Sequence, residues 1–471
     1  MKNYKLAWRN IWRNRRRTLI TVASVFFATF FALVMRSLQL GSYEHMFQNA
    51  IESYSGYIQV QQEDFWDDRS VDNCFAYTPE LDSLIFTDRN VTAVIPRFES
   101  FALASSGPRT KGVLVMGVDP AGEQKMNGLE DRLVRYQLTQ DVVSRLKERP
   151  ELPEKVKQNL DLFTGNAYSN DARLQLDLGI SDRDSSSLLP LFRELASFKS
   201  GKIGPEEPGA LVGFKLAQYL GLGIGDTLVL IGQGYHGTSA AGQYIIRGIV
   251  RQPVPDIDSR IVYLPVNLCQ QLYNAEGNLT SLVLTLKDNS DRGVAGTMSA
   301  LGGKIQSPYR LLDWKKMNEL MIQQMDADNK SGMIMIAILY LVIAFGVFGT
   351  VLMMTTERRR EFGVLVAIGM QKTKLSRVLS AEMFYIGFLG ILSGIAAALP
   401  VIIFGYYHPI RFRGTMAKMF EDYGFDPVMA FRWIDTYFLW QALVVAVIVL
   451  IAMMYPVGKI RKLEVINALR V

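Results

Sequence analysis

SGMIMIAILYLVIAFGVFGTVLMMTT (residues 331–356) runs for 26 residues without a charged side chain, and ERRRE (357–361) follows at once. A helix needs roughly 20 apolar residues to cross a ~30 Å hydrocarbon core, so this stretch is long enough to span a bilayer. Three others resemble it: 18–35, 383–410 and 436–458 are uncharged for 18, 28 and 23 residues. A soluble fold would have to bury four helices of this length, well above the usual length of helices in globular domains. Four membrane spans are therefore expected. Composition agrees: charged residues are 20% of the chain, yet mean hydropathy is +0.12, so apolar runs are set into otherwise ordinary sequence.

The formal net charge of +6 could suggest a nucleic-acid binder if taken alone. Its distribution argues against that. Segments 1–17, 357–377 and 457–471 together carry +14, and the remaining 418 residues carry −8. Basic residues beside apolar spans mark the cytoplasmic side. With four spans the three basic segments fall on one side, so both termini are expected in the cytoplasm and residues 41 to about 330 outside it. No nucleic-acid partner is expected. The first run reads as a retained span: it is too long for a signal-peptide core, and no clean small-x-small cleavage site follows.

The reading along the chain is a membrane α-helical fold of four transmembrane helices, with a large α+β extracytoplasmic domain between helices 1 and 2. Residues 1–17 form an amphipathic helix, with Tyr4, Trp8, Ile11 and Trp12 on one face and Arg9, Arg13, Arg16 and Arg17 elsewhere. That pattern suits a membrane surface, or simply anchors the first span. The first span, 18–40, extends as a stalk to about 54 through Tyr43, Phe47, Ile51 and Tyr54. A returning stalk helix, 311–330, carries Trp314, Met317, Leu320, Met321 and Met325 at similar spacing. Between them, 55–310 holds strand candidates at 57–60, 92–95, 112–118, 227–231, 244–250, 260–264 and 281–286. Helices are expected near 129–148, 151–162, 188–198, 213–220 and 265–274. Residues 165–187, rich in Asp, Ser and Asn, read as an exposed loop. After the second span (331–356) come a cytoplasmic helix and loop (357–377), the third span (378–404), a short outer loop (405–434), the fourth span (435–456) and a cytoplasmic tail (457–471). Gly390, Gly394 and Ala398 in the third span could allow close helix approach, or be glycines that any membrane helix tolerates.

Catalytic motifs are not found. The Gly-Lys pairs at 201, 303 and 458 are each followed by Ile, so none closes a phosphate-binding loop. There is no nucleophile elbow and no zinc-type His-Glu-x-x-His. His45, His236 and His408 lack metal-ligand spacing, and no metal or cofactor is expected in this chain. Cys74 and Cys269 could pair or remain free thiols. Glu382, one turn into the third span, is a functional candidate by position, or a carboxylate that snorkels or pairs. The chain reads as a non-enzyme.

The informative segment is ERRREFGVLVAIGM (357–370). It is expected to be helical over 357–368 with Gly369 as C-cap, presenting Phe362, Leu365 and Ile368 as an apolar edge. Such a helix could insert into a partner's groove and pass force to both adjoining spans, or be one more basic inner loop.

ERRREFGVLVAIGMQKTKLSRVL (357–379) resembles the hallmark segment of the FtsX/MacB/LolC–LolE permeases of ABC transporters. LAWRNIWRNRRRTLIT (6–21) and YPVGKIRKLEVINALRV (455–471) look like that family's ends. ALVGFKLAQYLGLGIGDTLVLIG (210–232), IIRGIVRQPVPDIDSRIVYLPVNLCQQLY (245–273) and TSLVLTLKD (280–288) are similar to its periplasmic pattern. The resemblance implies an inner-membrane subunit that dimerises with a second copy or paralogue and couples to a separate cytoplasmic ABC ATPase, which binds ATP and Mg. Glu357, Arg358, Arg359, Arg360, Glu361, Phe362, Gly363, Leu365, Ile368 and Gly369 would form the ATPase-coupling site. The segment 256–260 and the overall length are most similar to LolC/LolE, which extract lipoproteins towards a periplasmic chaperone. Acyl chains would then enter between spans one and two near Phe27, Phe31, Met35, Leu40, Met321 and Met325, unless these only pack the stalk. An insertion at about 135–200 departs from that pattern. MacB-like export and FtsX-like activation of a cell-wall hydrolase are the alternatives.

Overall fold

The structure, a computed structural model, describes residues 2–13, 15–204, 208–412, 416–417, 419–420 and 426–461. The end of the tail, 462–471, and most of 413–425 lie outside the described residues. The chain forms two compact units, one of residues 1–45, 321–410 and 428–471, the other of 46–320 and 411–427.

Among the described residues of the first unit, four helices are long and apolar enough to cross a membrane. An N-terminal helix, Lys2–Arg13, precedes the first span helix, Arg15–Ala50. The second span helix is Glu319–Glu357, the third Lys372–Tyr407 and the fourth Thr436–Arg461. In lipid, apolar side chains gain nothing by leaving their solvent, so these helices associate through close packing. The third span supplies it. A Cβ on Gly390 would lie 2.5 Å from Val25 Cβ, and one on Gly394 2.7 Å from Thr29 Cβ, both in the first span helix. On another side, Gly387 meets Val449 of the fourth span. Ala398 continues the row, fully buried with Leu33, Ile402, Phe431 and Tyr437. The glycine stripe is a contact surface and not merely tolerated.

The second unit is built on a nine-stranded sheet. In chain order the strands are β1 (Ile58–Gln62), β2 (Val91–Ser106), β3 (Arg109–Val118), β4 (Ala210–Gly213), β5 (Thr227–Gln233), β6 (Ser239–Val250), β7 (Ile261–Pro265), β8 (Ser281–Leu286) and β9 (Tyr309–Asp313). Their order across the sheet is β9-β1-β8-β2-β3-β7-β4-β6-β5. β2 is 16 residues long and pairs with three strands: β8 through its first half, β3 along most of its length, and β5 through Ala102–Ser105. The β2–β5 pairing closes β2, β3, β7, β4, β6 and β5 into a ring, leaving β8, β1 and β9 as a three-stranded wing. Phe98, Val113, Val115, Val212, Leu228, Leu230, Ile246 and Val262 share one buried cluster in the ring. Cys74 and Cys269 belong to the same cluster as free thiols, and burial pushes the Cys74 thiol up to about 11.

Several local expectations change. The returning stalk does not begin as helix at 311: residues 309–313 form β9, because this segment pairs with β1, Ile58 opposite Asp313. A single turn, Trp314–Met317, follows before the second span helix. The helix expected over 129–148 is broken into a 3-10 turn (Leu129–Arg132), a short strand (Tyr136–Gln137) and a helix (Gln140–Lys147). Residues 165–187 are not an exposed loop. They hold the helix Asp171–Leu178 and the start of Asp182–Leu195. The polar residues that suggested a loop are N-caps: Asn170 Oδ1 accepts from Arg173 N at 2.9 Å and Ser181 Oγ from Asp184 N at 3.3 Å. These helices and their neighbours bury Leu146, Leu160, Leu174, Leu178 and Phe192 in a core of their own. In the segment 256–260, Asp258 is a structural residue: its carboxylate accepts from the backbone of Gln252 (2.8 Å), Lys215 (3.0 Å) and Phe214 (3.2 Å).

Gly394→Val should press a branched side chain into Thr29 and the Phe26 carbonyl and cost about 1–3 kcal/mol. Thermal unfolding of the detergent-solubilised chain checks this against Gly349→Val, whose added Cβ would meet open space.

Candidate functional site

The second span helix ends at Glu357, Arg358 leaves helical geometry (φ −92, ψ 5), and a short helix, Arg359–Ala367, follows. The break is filled by Arg358's own side chain, which is nearly buried. Its Nη1 donates to Glu382 Oε2 at 2.7 Å, its Nε to Glu361 Oε2 at 3.3 Å, and its guanidinium lies 5.3 Å from the Phe362 ring centre. Glu361 Oε2 also accepts from Arg13 Nη2 at 2.9 Å. Arg13–Glu361–Arg358–Glu382 thus links the N-terminal helix, the short helix and the third span. Only a guanidinium presents enough donors in one plane to serve two carboxylates and lie over a ring. Glu382 is buried about three turns into the third span helix, where a carboxylate is costly without a cation, so pairing is the arrangement found.

The apolar side of the short helix is clamped as well. Phe362 is 2% exposed, packed with Leu375 and Leu379 of the third span and Ile460 of the fourth. Leu365, Val366 and Met370 lie half-buried against that cluster. The helix then stops as expected: Gly369 adopts φ +100 and its N–H donates to the Val366 carbonyl at 3.0 Å, while Met370 N reaches Leu365 O at 3.0 Å.

The expected apolar edge is therefore divided. Phe362 faces the core and Leu365 is half-covered, because Leu375 and Leu379 pack on that side; Gly363 is buried as well. Ile368 points outward at 75% exposure, and Val364 joins it. Glu357, Arg359, Arg360, Glu361 and Gly369 are exposed around them. Val364 is not among the residues the sequence points to; pairing of Glu382 is, but not Arg358 as its partner. The available signal for the pair was an intramembrane carboxylate needing a cation one loop away. The resulting surface is a small exposed apolar tip on a helix that begins with the exposed Arg359 and Arg360 and packs against the third and fourth spans.

The residues expected around a lipid cleft lie in different surroundings. Phe27, Phe31 and Met35 form an exposed stripe on the first span helix, Phe27 and Phe31 stacked with centroids 6.0 Å apart. Leu40 lies about 140° further round that helix and packs on the cluster of Leu33, Ala398, Ile402 and Phe431. Met321 and Met325 are half-buried on the second span helix.

Residues 333–465, which take in most of the second span helix, the short helix and the third and fourth spans, match the FtsX-like permease C-terminal family. Over those residues the chain carries an FtsX-like permease domain. It is similar to the lipoprotein-releasing system transmembrane protein LolC of Xylella fastidiosa, 24% identical over 227 residues, 46% of this chain and 53% of the relative. It is also similar to the ABC transporter permease YtrF of Bacillus subtilis, 32% identical over 146 residues, 30% of this chain and 32% of that one. The chain thus spans about half the length of the LolC relative. Among solved structures, the periplasmic region of MacB from Actinobacillus actinomycetemcomitans matches at 9% identity and a TM-score of 0.29, over 59% of this chain and 97% of that one. Glu361, which also accepts from Arg358, is reached by Arg13 of the N-terminal helix, outside the matched residues.

Arg358→Met should destabilise the chain by about 3–5 kcal/mol, since it removes the cation from a buried carboxylate. Adding Glu382→Leu should recover most of that loss in thermal unfolding. Ile368→Ala, at an exposed position, should change stability by no more than about 0.5 kcal/mol.

Proposed function

We propose that this chain is the transmembrane subunit of an ABC transporter, in which a separate cytoplasmic ATPase drives work outside the membrane, and that the work is extraction of lipoproteins from the inner membrane. The observation that carries the transporter reading is the Val364/Ile368 tip, exposed on a short helix that the Arg358 ion pairs and the Phe362 cluster fix to the spans. A partner seated on that tip would push both adjoining spans at once. Similarity to LolC relatives supports the cargo. The +14 carried by the three basic segments supports placing the tip and both termini in the cytoplasm.

On this reading the partners are two copies of the ATPase, which bind ATP and Mg, a second permease copy or paralogue, membrane lipid, and a periplasmic chaperone that accepts the cargo. The exposed Phe27–Phe31–Met35 stripe is the part of the expected cleft best placed to meet acyl chains.

Depletion of the chain, followed by proteomics of separated inner and outer membranes, tests the cargo. Lipoproteins should accumulate in the inner membrane while chain separation proceeds normally. Unchanged lipoprotein sorting would reject extraction and leave export or activation of a cell-wall hydrolase as the work done.

A further inference from the structure

Where the first span helix enters the outer unit, the chain makes a buried polar joint that the coupling site does not involve. The helix ends at Ala50 and continues as a π turn, Ile51–Ser55, closed by a hydrogen bond of 2.8 Å from Gly56 N to the Ile51 carbonyl. Gly56 then turns with φ +64, and a Cβ there would sit 2.4 Å from Val283 Cγ1, so both conformation and space call for glycine. A π turn leaves main-chain carbonyls off the regular helical pattern, and a buried one needs another donor.

Arg97 of β2 supplies it. Arg97 and Glu123 are both 0% exposed. The guanidinium forks onto the carboxylate, Nε to Oε1 at 2.5 Å and Nη2 to Oε2 at 2.9 Å, and its Nη1 donates to the Tyr54 carbonyl. Glu123 sits on the helix Pro120–Asn127, whose start is capped by Asp119 (Oδ2 to Gly122 N, 3.0 Å). The Tyr54 hydroxyl donates to Glu99 Oε2 at 2.8 Å, again on β2, and accepts from Arg69 Nη1 at 3.2 Å. The returning chain is tied to the same place: Asn318 Nδ2 donates to Ser55 Oγ at 3.1 Å, Trp314 N to the Tyr57 carbonyl at 2.8 Å, and the Trp314 ring meets Phe47 edge-on at 5.4 Å.

A buried ion pair adds little stability over apolar side chains of the same volume. What apolar atoms could not do here is hold the Tyr54 carbonyl. β2 is also the strand shared by the wing and the closed ring, so whatever is fixed to it is fixed to the whole sheet. We propose that Arg97, oriented by Glu123, is a positioning residue that locks the π turn to β2, so that displacement of the first span helix reaches the sheet instead of being absorbed at the turn. This proposal rests on the transporter reading above.

The test uses the full permease assembled with its ATPase in lipid nanodiscs, with spin labels on cysteines placed at the exposed Gln48 and Thr110. In the wild type the interlabel distance should stay single and narrow with and without ATP and vanadate. Arg97→Met/Glu123→Leu removes both charges of the pair together. It should keep ATP hydrolysis, broaden the distance distribution when nucleotide is added, and lower lipoprotein released per ATP by roughly threefold to tenfold. If that variant does not assemble, Arg97→Lys is measured instead. Its ammonium keeps the charge beside Glu123 but cannot fork onto the carboxylate and reach the carbonyl together, so it too should broaden. A distance as narrow as the wild type's in the assembled variant overturns the proposal, whatever its release rate. Failure of the wild type to release lipoprotein counts against the cargo alone, because the distance comparison still decides the joint.

Discussion

A carboxylate inside a membrane helix needs a cation, and the Arg358–Glu382 pair that meets this need fixes the geometry around it. Because Arg358 must reach Glu382, the second span helix ends where it does and the short helix turns across the start of the third span. Because the same guanidinium touches Glu361, and Glu361 meets Arg13, the N-terminal helix is held in the assembly as well. Breaking such a pair costs far more than replacing it whole. The short helix is therefore tied to its neighbours by ion pairs and packing.

The same logic of specificity over stability appears elsewhere. The third span packs by bringing glycines against the first and fourth spans, an arrangement that depends on shape because lipid provides no hydrophobic drive for it. In the outer unit, a long β2 joins a closed ring to a three-stranded wing, and a fully buried Arg–Glu pair ties that strand to the incoming chain. Each joint is stereochemically exacting, and each lies where one structural element hands over to the next.

The spans, the short helix and its glycine stop were legible in the sequence, because uncharged length, local basic charge and a left-handed C-cap are all local signals. The direction in which the short helix faces was not. A nine-residue helix with apolar residues on more than one side has no decisive periodicity, and Phe362 turns inward only because Leu375, Leu379 and Ile460 arrive from other helices. Residues 165–187 misled for a physical reason: Asn170 and Ser181 are equally at home in loops and at helix starts, and the short helices they cap bury only a few leucines each. The Arg97–Glu123 pair and the closure of β2 on β5 had no sequence signature, since both depend on contacts between distant segments. Leu40 was grouped with Phe27, Phe31 and Met35 by apolar character, although helical geometry already set it on another side.

The central claim is that the outward tip of the short helix, and not its buried face, receives the ATPase. Site-specific photo-crosslinking in intact cells tests it, with a photoreactive residue placed in turn at Ile368, Val364 and Phe362. Adducts with one cytoplasmic ATPase are expected from Ile368 and Val364 and none from Phe362. Adducts from Phe362 with none from the other two would contradict it.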